Sequence, residues 1–215
     1  NGGYTQGPNP ATLAIEIGGT TPGNAVGNYD QLSVTGAPGT VTVGGTLTVT
    51  FLGGFVPLIG DSFTVIQSAG ALAGSFGGNL VFPALPPGRA WRIVYNNAAP
   101  GSVVLDIVAP AVGFIPTNKD FGNVQVGVTS ATSDIQLTNT GLATLNLTSI
   151  SLAGTDAAQF AIVAPNVAPN CVGLATRNPG QSCNIGIRFT PASIGLKNAQ
   201  ISVVDDAVGS PHAVP

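Results

Sequence analysis

Along most of this chain apolar residues recur at every second position, and few other patterns restrict a fold so strongly. Leu13, Ile15 and Ile17 alternate with Ala14 and Glu16. Leu47, Val49 and Phe51 alternate with Thr48 and Thr50, and Phe63 and Val65 flank Thr64, with Ile66 breaking the rule. A strand turns successive side chains to opposite faces, so this period predicts strands with one buried face. Turn chemistry separates the runs: Gly18-Gly19, Pro22-Gly23, Pro38-Gly39, Gly44-Gly45, Gly53-Gly54, Pro87-Gly88, Asn139-Thr140-Gly141 and Pro179-Gly180. These residues supply the positive or fixed φ that a reversal needs. Only Thr155 to Phe160 reads as a helical turn, with Thr155 or Asp156 as its cap. An all-β chain with very little helix is expected.

A chain of 215 residues holds one large β domain or two of roughly 100 residues. Val103, Val104, Leu105 and Ile107 form a strand pattern, Ala109-Pro110-Ala111 interrupts it, and Phe114-Ile115-Pro116 opens a new one. The expected division is therefore 1–109 and 110–215, joined by a short linker.

Charged residues make up 7% of the chain, against about 25% in ordinary soluble domains. Six Lys plus Arg and a net charge of -3 give no basic face to neutralise phosphates, so nucleic acid is not an expected partner. Gly, Pro, Asn or Asp breaks every hydrophobic run short of the roughly 18 residues of a membrane span. The chain lacks an initiating Met and a secretory apolar region at its start, so Asn1 is expected to be a processed or truncated end. Cys171 and Cys183 have no third Cys or nearby His, which makes a poor zinc set. A disulfide that braces the intervening loop is expected, and with it an oxidising compartment.

No catalytic, cofactor or metal set is legible. Gly60-Asp61-Ser62 resembles the block around the nucleophile of one lipase and esterase family, but that chemistry needs a strand-to-helix turn and an Asp separated from a His by two residues. The sole His is His212, and Gly209 stands where that Asp is needed. Asp61-Ser62 is expected to close a hairpin, and His212 to contact the turn carboxylates Asp205 and Asp206 or backbone. Glu16, Asp30, Asp61, Asp106, Asp120, Asp134 and Asp156 are scattered singly, which gives glycosidase chemistry no support and leaves a Ca2+ turn site unassigned. Arg89 and Arg92 flank Trp91 and are expected to lie over aromatic surface or pair with a carboxylate. Asn146-Leu147-Thr148 is formally a glycosylation sequon, with Asn146 expected on an outer strand face.

Two resemblances sharpen this reading. "YTQGPNPATLAIEIGG", "YDQLSVTGAPGTVTVGGTLTVTFLGGFVPLIGDSFTVI" and "PALPPGRAWRIVYNNAAPGSVVLDIV" resemble the terminal rungs of β-solenoids in autotransporter-like bacterial surface proteins, over about residues 3–108. The resemblance implies a short β-solenoid end, with a compact β-sandwich as the alternative. Trp91, Phe76, Phe82 and Tyr95 are the residues expected to plug it.

Residues 114–214 resemble the choice-of-anchor D domain, an immunoglobulin-like β-sandwich of bacterial surface and secreted proteins. The resemblance rests on Phe121-Gly122, Leu137-Thr138-Asn139-Thr140-Gly141, Cys183 ahead of Phe189-Thr190-Pro191, and Asp205-Asp206 with Ser210-Pro211-His212. It implies that the chain ordinarily runs on past His212 in a closing strand. Here Ile201, Val203 and Val204 read as a strand, and His212-Ala213-Val214 open another that stops. Truncation is one explanation. Strand exchange is the other, with Thr12, Leu13, Ala14, Ile15, Glu16 and Ile17 as donor, residues 1–10 as its arm, and Ile201, Val203, His212 and Val214 as acceptor edge.

The expected function is that of a noncatalytic structural module of a bacterial extracellular surface protein. Its expected partners are further copies in a polymer, joined by donor-strand complementation, or other domains of the same protein. The alternatives are an adhesin or glycan-binding module around Trp91 or Tyr29, and an accessory domain of a secreted hydrolase.

Overall fold

A computed structural model describes residues 3–7, 11–173 and 176–215 of the chain. The fold is all-β in two compact units that divide between Val108 and Ala109. The described residues carry a single short 3-10 turn, Ala157–Gln159. Asp156 caps it without a side-chain bond to the turn's first amides. Its carboxylate instead accepts the Asn198 N–H at 2.8 Å and the Gln159 amide at 2.9 Å.

The first unit contains β1 (Tyr4–Thr5), β2 (Thr12–Ile17), β3 (Thr21–Pro22), β4 (Asn28–Tyr29), β5 (Leu32–Val34), β6 (Val41–Val43), β7 (Thr46–Phe51), β8 (Ser62–Ser68), β9 (Leu72–Gly74), β10 (Leu80–Val81), β11 (Ala90–Asn96) and β12 (Ser102–Val108). Its strands stack in parallel as successive turns of a coil. Tyr4 lies beside Val41 and Val41 beside Leu72; Leu13 lies beside Leu47 and Leu47 beside Leu80; Leu32 lies beside Ile66. The steps span 31 to 37 residues, within the range of solenoid repeats.

The third face then changes character. β12 inserts antiparallel between β8 and β11, giving the order β11-β12-β8-β5 and ending the parallel stack on that face with a hairpin. The break in alternation at Val65-Ile66 marks this junction. Val103 pairs with Ile66 but Val104 with Thr64, so Val65 is the extra residue of a β-bulge. Val65 and Ile66 are both fully buried.

Inward residues from every face form one core, including Ile15, Ile17, Val41, Leu47, Phe63, Phe76 and Leu105. The corner between β6 and β7 needs Gly45, where φ is +66° and a Cβ would fall 2.1 Å from the Ala11 carbonyl oxygen. Trp91 stacks on Phe51 at 5.8 Å and lies 5.1 Å from Phe82. The Tyr95 hydroxyl accepts the Phe76 N–H at 3.1 Å. Burial pushes the Tyr95 phenol above its ordinary range, and that hydrogen bond partly offsets the shift.

The second unit contains β13 (Val112–Ile115), β14 (Ser133–Asn139), β15 (Leu145–Ala153), β16 (Phe160–Val163), β17 (Thr176–Arg177), β18 (Ser182–Phe189), β19 (Gln200–Asp205) and β20 (His212–Val214). They make two four-stranded sheets, ordered β13-β14-β18-β16 and β17-β15-β19-β20, with antiparallel neighbours throughout. Ile135, Leu137, Ile185 and Ile187 from one sheet and Leu145, Ile201, Val203 and Val214 from the other close the core. This is an immunoglobulin-like β-sandwich.

Candidate functional site

The second unit has a groove of about 1030 Å³ at one end of the sandwich. Both sheets contribute its floor: Ile135, Ile187 and Phe189 from one, Leu152, Ile201 and Val214 from the other. Phe121, Phe160 and Phe189 cluster there, with Phe160 stacked on Phe189 at 4.6 Å and Phe121 within 6 Å of both. Two irregular segments form the rims, residues 118–126 and 191–200. On the second rim Ile194 is 89% and Leu196 85% exposed, although both are large and apolar.

The backbone along this groove is partly paired. The Lys119 N–H donates to the Pro215 carbonyl at 2.9 Å, and the Gly127 N–H to the Pro191 carbonyl at 2.8 Å. Between them the Gly122 N–H is held by Asp120 at 2.7 Å. The amides of Asp120, Phe121, Asn123, Val124, Gln125 and Val126 have no protein acceptor among the described residues. The Lys119 ammonium sits 6.0 Å from the centre of the Phe121 ring.

The expected acceptor edge falls partly here and partly elsewhere. Ile201 and Val203 are interior, paired with Leu152 and Ile150 on one side and with Val214 and His212 on the other. β20 is the outer strand of its sheet. The expected donor is engaged. Thr12, Leu13, Ala14, Ile15, Glu16 and Ile17 pair in parallel with Thr46 to Phe51 along their whole length, and Ile17 pairs with Tyr29 on the opposite edge. Ile15 and Ile17 are core residues, so donating this strand would open the first unit. Within the expected arm, residues 1, 2 and 8–10 lie outside the described residues.

His212 braces a turn. Its Nδ1 lies 3.0 Å from Asp205 Oδ2, and the other carboxylate oxygen accepts the Ala207 N–H at 2.8 Å. The Asp205 side chain is fully buried. His212→Ala strips one oxygen of that carboxylate of its partner, and a loss of about 1 to 3 kcal/mol is expected in urea denaturation. An unchanged midpoint would mean that solvent reaches Asp205 and replaces the imidazole. Asp206 instead accepts the backbone N–H of Asn146 at 2.8 Å and binds its side-chain amide, and Asn146 is exposed on the outer face.

Ser62 donates to Asp106 Oδ1 at 2.7 Å, and Asp106 Oδ2 receives Arg92 at 2.6 and 3.1 Å. Asp61 accepts the Leu58 N–H at 2.7 Å, which closes the turn into β8. Arg89 donates to the Pro57 carbonyl, and the Trp91 indole N–H to the Pro83 carbonyl at 3.1 Å. Tyr29 is buried and Trp91 is packed between aromatic rings, so neither forms an exposed stacking platform. No group of three His, Cys, Asp or Glu side chains is assembled to hold a metal among the described residues.

Cys171 and Cys183 form a disulfide, both buried, with Cα atoms 5.0 Å apart and a sequence separation of 12. Closing a loop of that length constrains the unfolded chain by about 3 kcal/mol. Cys171→Ser with Cys183→Ser is expected to lower the second unit's stability by that amount in guanidinium titrations. Equal midpoints with and without the bridge would contradict the bracing role.

Several buried polar residues, Gln6, Ser68, Arg177, Asn184 and Asn139, are not anticipated by the sequence pattern. Asn139 is fully buried; it donates to the Ala143 and Arg177 carbonyls at 2.7 and 2.9 Å and accepts the Gly141 N–H at 3.0 Å. The signal was present, because Asn139 continues the inward phase of Ile135 and Leu137. In the same turn a Cβ on Gly141 would fall 2.4 Å from the Ala109 carbonyl oxygen.

No family model matches the chain, and no curated protein matches it.

Proposed function

We propose that this chain is a noncatalytic structural module of a bacterial extracellular surface protein, acting as a stalk or spacer element. The observation that carries this reading is the parallel coil of the first unit, with its core running from strand to strand along one stack. Coils of this kind lengthen by adding turns and bury a continuous core, which suits a spacer. The disulfide supports an oxidising location for the second unit. The resemblance of residues 114–214 to choice-of-anchor D domains supports a surface or secreted setting. Joining to other polypeptide occurs through backbone edges and apolar surface, and the groove at residues 118–126 and 191–200 is the place for it.

Protease treatment of intact cells that make the protein tests this reading, with free thiols alkylated beforehand. Release of its peptides from unbroken cells, with Cys171 and Cys183 still linked, is the expected result. Recovery only after lysis, with both cysteines alkylated, would overturn it.

A further inference from the structure

We propose that the floor of the groove in the second unit binds the hydrocarbon chain of a single-chain fatty acid, with its carboxylate held at the rims by Lys119 and Lys197. This goes beyond the joining of polypeptide at the rims. It concerns the floor beneath them and stands or falls separately.

The floor is the interior of the sandwich itself. Ile135, Ile187 and Phe189 come from β14 and β18, Ile201 and Val214 from β19 and β20, and all five are buried residues that also line the groove. The recess therefore reaches between the two sheets. Its volume of about 1030 Å³ matches the upper end for small-ligand sites, about 300 to 1,000 Å³. Val126 on one rim and Ile194 and Leu196 on the other leave further apolar surface exposed above it.

This lining selects an occupant without polar groups along its length. The floor side chains offer no hydrogen bond, so a peptide laid on them would bury amides unpaired, each at a cost. The rim does not supply the missing partners as a ladder. Gly122 has a φ of +65° and the Val128 N–H turns back to the Gln125 carbonyl, which breaks any even run of amides along residues 118–126. A polymethylene chain makes no such demand and gains from every methylene removed from water.

Charge selects the head group. The chain's two lysines, Lys119 and Lys197, both line this groove, one on each rim. Neither forms an ion pair among the described residues. The Lys197 ammonium donates to the Ile194 carbonyl at 3.2 Å, and that of Lys119 lies 6.0 Å from the centre of the Phe121 ring. The one carboxylate in the lining, Asp120, is turned to the Gly122 N–H at 2.7 Å. An anion above an apolar chain gives both ammonium groups a partner while their stems add to the apolar wall.

Isothermal titration calorimetry of the 215-residue protein with sodium decanoate tests this. Saturable one-to-one binding at sub-millimolar concentration is expected, at least tenfold weaker for hexanoate, which buries four fewer methylenes. Lys119→Ala with Lys197→Ala, both on irregular rims, should weaken decanoate about fivefold and leave 1-decanol unchanged. Decanoate should shift the amide resonances of Ile135, Ile187, Ile201 and Val214 and leave those of Ile15 and Val41 in place. Absence of saturation, equal affinity for hexanoate, undiminished affinity of the double variant, or shifts confined to the first unit would each overturn the proposal. Phosphatidylglycerol vesicles should not retain the protein; retention that decanoate does not reverse would assign the lysines to a membrane surface and overturn the single-chain occupant. None of these outcomes bears on the surface location tested on intact cells.

Discussion

Phe63→Ala is expected to destabilise the first unit by about 3 to 5 kcal/mol, the range for removing a buried aromatic side chain from a packed core. Phe63 is fully buried in β8, the strand that pairs in parallel with β5 on one side and antiparallel with β12 on the other. Its ring meets Tyr29 edge-on at 5.4 Å and Phe55 edge-on at 6.2 Å, and lies 6.4 Å from Trp91. Each such pair adds about 0.5 to 1.5 kcal/mol beyond area burial, which places the loss toward the upper end of the range. A domain of this size has only about 5 to 15 kcal/mol in total, so the variant sits close to unfolding. Urea titration followed by tryptophan fluorescence reads the effect, since Trp91 belongs to the same cluster. Val81→Ala, at an exposed position in β10, is the control and should stay within about 0.5 kcal/mol of the parent. A Phe63 variant as stable as that control would mean that the coil and its hairpin do not share a core.

Asn139→Leu is expected to cost the second unit about 3 to 5 kcal/mol, although leucine has as many side-chain heavy atoms as asparagine and suits a buried site. The loss comes from what remains behind. The Ala143 and Arg177 carbonyls lose their donor and the Gly141 N–H its acceptor, and each buried unpaired group costs about 1 to 3 kcal/mol. Asn139→Asp keeps the acceptor but has no N–H for the two carbonyls, and it places a charge where burial is complete. It should be no better than leucine. Guanidinium unfolding of both variants measures this, and a leucine variant more stable than the parent would show that the turn re-forms without the amide.

Much of this architecture was legible because a period of two has few structural meanings. Leu13-Ile15-Ile17 and Leu47-Val49-Phe51 predict strands, and both segments form them. The same rule hid two features. At Val65-Ile66 the alternation fails because an extra residue is accommodated by a bulge, which is visible only once Val103 and Val104 supply the register. At Asn139 the Asn-Thr-Gly sequence reads as turn chemistry, whereas strand phase carries it inward to a site whose partners lie 4 and 38 residues away. Partners at such distances cannot be read from local pattern.

The open groove was legible only in part. The strand pattern at His212-Ala213-Val214 is legible in the sequence, and those residues form the outer strand of their sheet. Ile201 and Val203 are interior to it, and one rim of the groove comes from residues 118–124, a segment with no strand pattern of its own. The pairing of Thr12 to Ile17 with Thr46 to Phe51 was likewise hidden, because alternation marks a strand without naming its neighbour.

Residue-resolved hydrogen exchange tests most directly the account of two finished cores beside a largely unpaired segment at residues 120–126. Slow exchange is predicted at Leu47, whose N–H is bonded to the Asn79 carbonyl, and at Leu105, which lies between Ile93 and Phe63. Phe121, Asn123 and Gln125 should exchange at close to free-peptide rates. Strong protection at those three amides, or rapid exchange at Leu47 and Leu105, would contradict it.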